Sequence, residues 1–224
     1  MNTSTRSGFS IRTVVRAFAS VLCDALSPAA CAACDQPISS GRVFCAPCAM
    51  TIERDEPSSD GAVAFARFGG ALAIALKRFK YEERPDLARP LGHLLRRAVV
   101  EAGIGADVVV PVPLHPHRLA ERGFNQSALL ARSVAVQIDK PFAPRALERC
   151  RQTAQQARLG RAERLENMAE AFHVRDKRAV ESKKVLLVDD VLTTGATLLA
   201  CRDALDRAGA AEVISVCLAR AGQT

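Results

Sequence analysis

The chain has 224 residues, 49% of them hydrophobic and 25% charged, a balance that fits a soluble globular protein with one α/β domain and a small appendage. A formal net charge of +7 favours anionic partners, either phosphorylated small molecules or nucleic acid. With no Trp, one Tyr and nine Phe the chain is poor in rings for a base-stacking single-strand binder, and no apolar run approaches bilayer length, so no membrane span is expected.

Residues 1–60 are expected to hold a helix, a metal module and a linker, and residues 61–224 the main domain. Ile11, Val14, Val15, Phe18, Val21, Leu22 and Leu26 recur at helical spacing, as in an amphipathic helix packed on the body of the protein. Arg6, Arg12 and Arg16 ahead of an apolar stretch imitate an export signal, but Asp24 interrupts that stretch, so the helix is preferred. Next comes Cys31-x-x-Cys34, ten residues, and Cys45-x-x-Cys48. Each pair can point two thiolates at one ion, and the two together make a four-cysteine zinc-ribbon site whose Zn²⁺ is structural, because four thiolates leave no open position. Two disulfides or a redox pair are the alternatives. The first needs an oxidising compartment, and the second has no use for a duplicate. Cys23, Cys150, Cys201 and Cys217 lack ligand spacing and are read as small hydrophobes.

Glu53 to Gly61 (ERDEPSSDG) reads as a linker. Ala62 to Phe68 is an expected strand. Gly70 to Lys80 is an expected helix that buries Leu72, Ile74, Leu76 and Phe79, and Asp86 to Ala102 a second helix interrupted near Pro90. Asp107 to Val112 (DVVVPV) is a buried parallel strand. The loop that follows, Pro111 to Ser127, is confined by its prolines to extended and turn geometry, and it supplies Arg118, Arg122, Asn125 and Gln126 as donors. Gln126 to Gln137 continues as helix. Pro144 to Arg151 suggests a strand, and from Arg145 to Arg164 six arginines face only Glu148 and Glu163. That run is either a mobile loop that folds over a pyrophosphate or a solvated helix face. His93, His115, His117 and His173 form no protease-like or triad constellation.

The most informative stretch is Val185 to Thr197, VLLVDDVLTTGAT. Four aliphatic residues run into Asp189 and Asp190, and a small hydroxyl-rich turn carries Gly195 into a helix expected over Gly195 to Ala208. Physically this is a buried strand, an acidic pair at its carboxyl end, and free backbone N–H groups at a helix N-terminus. The N–H groups cradle a phosphate and the carboxylates hold sugar hydroxyls. A ribose 5-phosphate carries both groups at that separation. With Val213 to Leu218 as the last strand, the expected fold is α/β, a mainly parallel sheet with helices on both faces.

VLLVDDVLTTGAT resembles the signature of type I phosphoribosyltransferases, which bind 5-phosphoribosyl-1-pyrophosphate (PRPP). The two Cys-x-x-Cys knuckles, Phe79-Lys80-Tyr81, VVPVPLHPHRLAERGFNQ, the Thr153-x-Gln155 region with Asn167, and the signature follow one another as in the ComF family, which the chain as a whole resembles. That family joins an N-terminal zinc module to a type I phosphoribosyltransferase-like domain. The resemblance implies a bacterial cytoplasmic protein linked with DNA uptake and natural transformation. It implies that Thr193, Thr194, Gly195, Ala196 and Thr197 bind the 5-phosphate and that Asp189 and Asp190 hold the 2- and 3-hydroxyls. Mg²⁺ would bridge hydroxyl and pyrophosphate oxygens, with Arg122, Lys80 and the basic segment as candidates for the pyrophosphate. The implied activity is a Mg²⁺-dependent phosphoribosyl transfer to an unnamed acceptor. The alternative is a non-catalytic adaptor that keeps the ribose-phosphate site and engages single-stranded DNA or transformation proteins. A homodimer is the ordinary expectation.

Overall fold

The computed structural model describes residues 29–56, 58, 61–149 and 171–222. The expected helix before residue 29, Cys23, Cys150 and the basic stretch 151–167 lie outside them. Four strands, β1 (Ala62–Arg67), β2 (Val108–Pro111), β5 (Lys184–Leu192) and β6 (Glu212–Arg220), form one parallel sheet in the order β1-β6-β5-β2. Val185, Leu186, Leu187 and Val188 are fully buried at its centre, as an aliphatic run sandwiched between helices should be. Alternation divides the core. Leu186, Val188, Val216 and Leu218 face helices α2 (Gly70–Tyr81), α3 (Ala88–Glu101) and α5 (Gln126–Gln137). Val185, Leu187, Val213 and Cys217 face α6 (Ala196–Arg207), together with a small antiparallel pair, β3 (Leu147–Arg149) and β4 (Phe172–Val174). The strand expected from Pro144 therefore exists in part, but it joins this pair and not the main sheet.

Short-range signals explain most of the other departures. Pro90 does not interrupt α3: it is the third residue of the helix, where the missing N–H has no intrahelical partner to lose. Pro111 to Ser127 is not all extended, because Pro116 opens a short helix α4 (Pro116–Arg122), His115 caps it through Nδ1 at 3.2 Å from the His117 N–H, and Gly123 closes it at φ +73°. Ile74 is 49% exposed, because helical periodicity puts Ala71, Leu72, Ala75, Leu76 and Phe79 on the buried stripe of α2 and position 74 off it. Cys201 and Cys217 are buried among apolar side chains, as expected.

The four-cysteine segment, with its short helix α1 (Ala46–Ala49), packs directly on α2. Cys31, Ala32, Val43 and Phe44 belong to the same buried cluster as Leu72, Leu76 and Phe79. Its last residue, Thr51, accepts the Ala71 N–H on Oγ1 at 2.9 Å and caps α2. Beyond it the expected linker pairs with the sheet edge, Arg54 bridging Ala66 and the Arg67 N–H donating to Glu53 O at 2.8 Å. Gly70 allows this approach, for its φ is +49° and a Cβ there would lie 2.1 Å from the Thr51 carbonyl oxygen. Gly70→Ala is therefore expected to destabilise the fold by about 3 kcal/mol, from left-handed strain plus overlap with backbone. Urea denaturation read by circular dichroism checks it.

Candidate functional site at the carboxyl end of the sheet

Strand β5 outlasts one of its neighbours. It pairs with β2 only as far as Val188 but with β6 as far as Leu192, so Asp189 and Asp190 are hydrogen-bonded in the sheet on one side and open on the other. Asp190 faces the α2 side, where Lys80 Nζ donates to its Oδ1 at 2.8 Å; both side chains are largely buried. Asp189 Oδ1 accepts from Ser127 Oγ at 2.8 Å, in the first turn of α5, and from the Asp190 N–H at 2.9 Å. Burial pushes the Asp189 carboxyl up to about 7, and the Asp190 charge beside it adds to the shift. Two carboxylates thus share one ammonium and one hydroxyl, which leaves acceptor lone pairs suited to hydroxyl donors.

After Leu192 the chain turns through Thr193 and Thr194, both exposed, and Gly195 enters α6 at φ +77°. The nearest atom to a Cβ at Gly195 would be Leu192 Cδ1 at 3.6 Å, so backbone conformation and not space calls for glycine here. This turn places the first N–H groups of α6, with the positive end of its dipole, at the rim of a cleft of about 870 Å³ that Thr193, Thr194, Gly195 and Ala196 line. Thr197 is half-buried in the first turn.

A second, smaller cleft of about 360 Å³ is lined by Lys80, Tyr81, Arg118, Arg122 and Phe124 among others, and Lys80 connects it to Asp190. Arg122 stacks over the Tyr81 ring at 4.9 Å and donates to Tyr81 Oη and to Gln126 Oε1, each at 3.2 Å. Asn125 anchors the segment by donating to Val112 O at 3.1 Å and capping α5. Gln126 is buried, and its Nε2 has no partner among the described residues. The expected site residues therefore fall into two groups: Lys80 meets Asp190 and shares a cleft with Arg122, while the Thr193–Ala196 turn lines the other cleft. Ser127 and Tyr81 were not expected as site residues. Ser127 carries no local signal, because its meeting with Asp189 spans 62 positions of sequence.

Cys31, Cys34, Cys45 and Cys48 place their sulfurs within 4.8 Å of one another, and Cys34 Sγ lies 3.7 Å from Cys45 Sγ. A tetrahedron of thiolates at ~2.3 Å from a zinc-type ion has edges of about 3.8 Å, so the set fits such an ion. Burial pushes the Cys31 thiol up, but hydrogen bonds from the Cys45, Ala33 and Cys34 N–H groups outweigh it and bring it down to about 6. Cys48, beside the Cys45 thiol and the other sulfurs, is pushed up to about 12. All four can ionise together only around a cation. The knuckle also braces the site: Arg78 donates to the Ala32 carbonyl at 3.2 Å and pairs with Asp35, and two residues further on Lys80 reaches Asp190.

Two consequences are measurable. An unfolded Asp189 ionises near 3.8 and the folded one near 7, so its neutral form stabilises the fold fully below about pH 4, and that contribution is lost as pH rises through 7. Asp189→Asn, which keeps an oxygen for Ser127, is expected to match the parent protein near pH 4 and to exceed it by about 2 kcal/mol at pH 8, measured by urea titration at both values. Arg78→Ala is expected to cost about 1–2 kcal/mol through the lost bond to Ala32 O. It should also raise amide hydrogen exchange at Cys31–Asp35 and at Phe79–Tyr81 together.

A model of the family described as "Phosphoribosyl transferase domain" matches residues 80–224. Competence protein F of Haemophilus influenzae is 30% identical over 207 residues, which cover 85% of this chain and 90% of that protein. DNA utilization protein YhgH of Escherichia coli (strain K12) is 31% identical over 195 residues, 85% of this chain and 83% of that one. Among solved structures, glutamine phosphoribosylpyrophosphate amidotransferase from B. subtilis complexed with ADP and GMP is similar at a TM-score of 0.46 and 24% identity, over 62% of this chain and 30% of that one. No helix among the described residues is long and apolar enough to cross a membrane. With a parallel sheet ending in an acidic pair and a glycine turn, and a four-cysteine knuckle at its flank, the chain belongs to the ComF family of phosphoribosyltransferase-domain proteins.

Proposed function

We propose that the chain binds PRPP at the carboxyl end of its sheet and transfers or presents the phosphoribosyl group, with Mg²⁺ bound to the donor. The observation that carries this reading is the acidic pair only two residues ahead of a glycine turn that opens a helix N-terminus. A ribose ring spans that interval: N–H groups and hydroxyls of Thr193–Thr197 receive the 5-phosphate, and Asp189 and Asp190 receive the 2- and 3-hydroxyls. When the hydroxyls arrive, Lys80 exchanges Asp190 for a pyrophosphate oxygen, and Arg118 and Arg122 receive the rest of that group. Mg²⁺, a hard ion that takes oxygen ligands, would be held with the donor beside Asp189 and Asp190 and would supply charge neutralisation for the leaving pyrophosphate. The carboxylates also oppose the positive charge that develops on the ring as the C1–O bond lengthens. Zn²⁺ on the four cysteines is structural, holding the knuckle that braces α2. The names of the relatives support a place in DNA uptake, and the cytoplasm is the compartment proposed with it.

Calorimetry with PRPP and Mg²⁺ tests the reading. The Asp189→Asn, Asp190→Asn double variant is expected to stay folded and lose about 100-fold or more in affinity, the worth of two charged hydrogen bonds. Unchanged affinity rejects the assignment. Pyrophosphate release across a panel of bases and amines, beside a salt-dependent titration of single-stranded DNA, separates turnover from the adaptor role that the net charge of +7 also favours.

A further inference from the structure

Arg122, in the last turn of α4, is held by two other helices. Its Nη1 donates to Gln126 Oε1 in the first turn of α5 and its Nη2 to Tyr81 Oη at the end of α2, each at 3.2 Å. The guanidinium also lies over the Tyr81 ring, 4.9 Å from its centroid. Both acceptors are neutral, so they orient the arginine without cancelling its charge. No carboxylate pairs with Arg122 among the described residues. Glu83 and Glu121 line the same cleft, and Glu121 lies instead beside His117, 3.3 Å from its Nδ1. Other arginines of this chain close on acids: Arg84 on Asp86, Arg97 on Glu101 and Arg175 on Glu148.

Gln126 is an unusual choice for a buried position. Its side chain is fully buried, and Nε2 has no partner among the described residues. Turning the amide over would set Nε2 against the guanidinium, so Oε1 faces Arg122 and the donor stays unmet. A buried donor without a partner lowers stability, and methionine would fill the same space without that loss. Packing alone therefore gives no reason for an amide here. Both supports of Arg122 are themselves fixed. Phe79, two residues before Tyr81, is fully buried and packs on Phe124, two residues before Gln126, with ring centroids 5.9 Å apart. Asn125 ties the start of α5 to the Val112 carbonyl at 3.1 Å.

We propose that Gln126 and Tyr81 are positioning residues, which hold Arg122 with its charge uncompensated to receive the pyrophosphate group in the smaller cleft. The N–H donors of Arg122 not spent on them share the phosphate oxygens with the Lys80 ammonium. Gln126, being buried, acts only through Arg122. Orientation before binding spares the ligand the entropy of ordering a long side chain. The identity of the anion rests on the phosphoribosyl reading above.

The test is calorimetry on the full-length, zinc-loaded protein with Mg²⁺, using inorganic pyrophosphate and, separately, ribose 5-phosphate. Arg122→Gln should weaken pyrophosphate about 10-fold, the worth of a charged hydrogen bond. Gln126→Met should weaken it about 3- to 5-fold, and so should Tyr81→Phe, which alters an exposed side chain and keeps its ring. Neither should weaken it further in the Arg122→Gln background, because both act through that guanidinium. Ribose 5-phosphate should bind all of these variants as it binds the parent, and Gln126→Met should melt no lower than the parent. Unchanged pyrophosphate affinity in either single variant, a further loss in the Arg122→Gln background, an equal loss of ribose 5-phosphate, or a lower melting temperature of Gln126→Met each overturns the proposal. So does a parent protein that does not bind pyrophosphate. Pyrophosphate bound through Arg122 by a protein that ignores ribose 5-phosphate would instead sink the phosphoribosyl reading and leave the positioning role standing.

Discussion

Two neighbouring carboxylates held beyond the end of strand β2 are the constraint around which this structure is arranged. On β5 they occupy positions that the strand would otherwise fill with apolar side chains, and one ammonium and one hydroxyl are their nearest side-chain donors. Burial, with the Asp190 charge beside it, pushes the Asp189 carboxyl up to about 7. Such a pair lowers fold stability, and it is kept where a ligand supplies the missing donors. On the proposed reading ribose hydroxyls are those donors, and the next turn of chain, at a helix N-terminus, takes the phosphate.

The helices that serve this pair are steadied from outside the sheet. The last turn of α2 carries Lys80 and Tyr81 to the site, and the same turn carries Arg78 to the four-cysteine knuckle. Phe79 between them is fully buried and packs against Phe124, 5.9 Å away in ring centroids. Thr51, three residues after Cys48, caps the other end of the same helix. The knuckle is thereby a brace for α2 at both ends, which links the four thiols mechanically to a site that they do not touch.

Charge is distributed unequally about the acidic strand end. The smaller cleft carries Lys80, Arg118 and Arg122 with Glu83 and Glu121, a mixed field suited to a group that must enter and leave. The larger cleft has three arginines against Asp55, and one of them is fixed by that carboxylate and by backbone. The two clefts thus present different electrostatic surfaces.

Local chemistry was legible in the sequence because it acts over a few residues. Aliphatic runs marked β2 and β5, the helix from Gln126 to Gln137 was read to the residue, and the spacing of Cys31, Cys34, Cys45 and Cys48 announced four convergent thiols. Even the missed helix α4 had its signs, a proline at the first position and a glycine after the last. What joins distant parts was not legible. Lys80 and Asp190 are 110 positions apart, and Ser127 and Asp189 62. The exposure of Ile74, the meeting of Arg122 with Tyr81, and the burial of Ser215 beneath a cleft likewise depend on how helices settle on the sheet. The sequence by itself determined the strands, the acidic turn and the clustering of four thiols, since each is encoded by near neighbours. Only the tertiary structure decided which side chains face those groups, because packing across the whole sheet sets those distances.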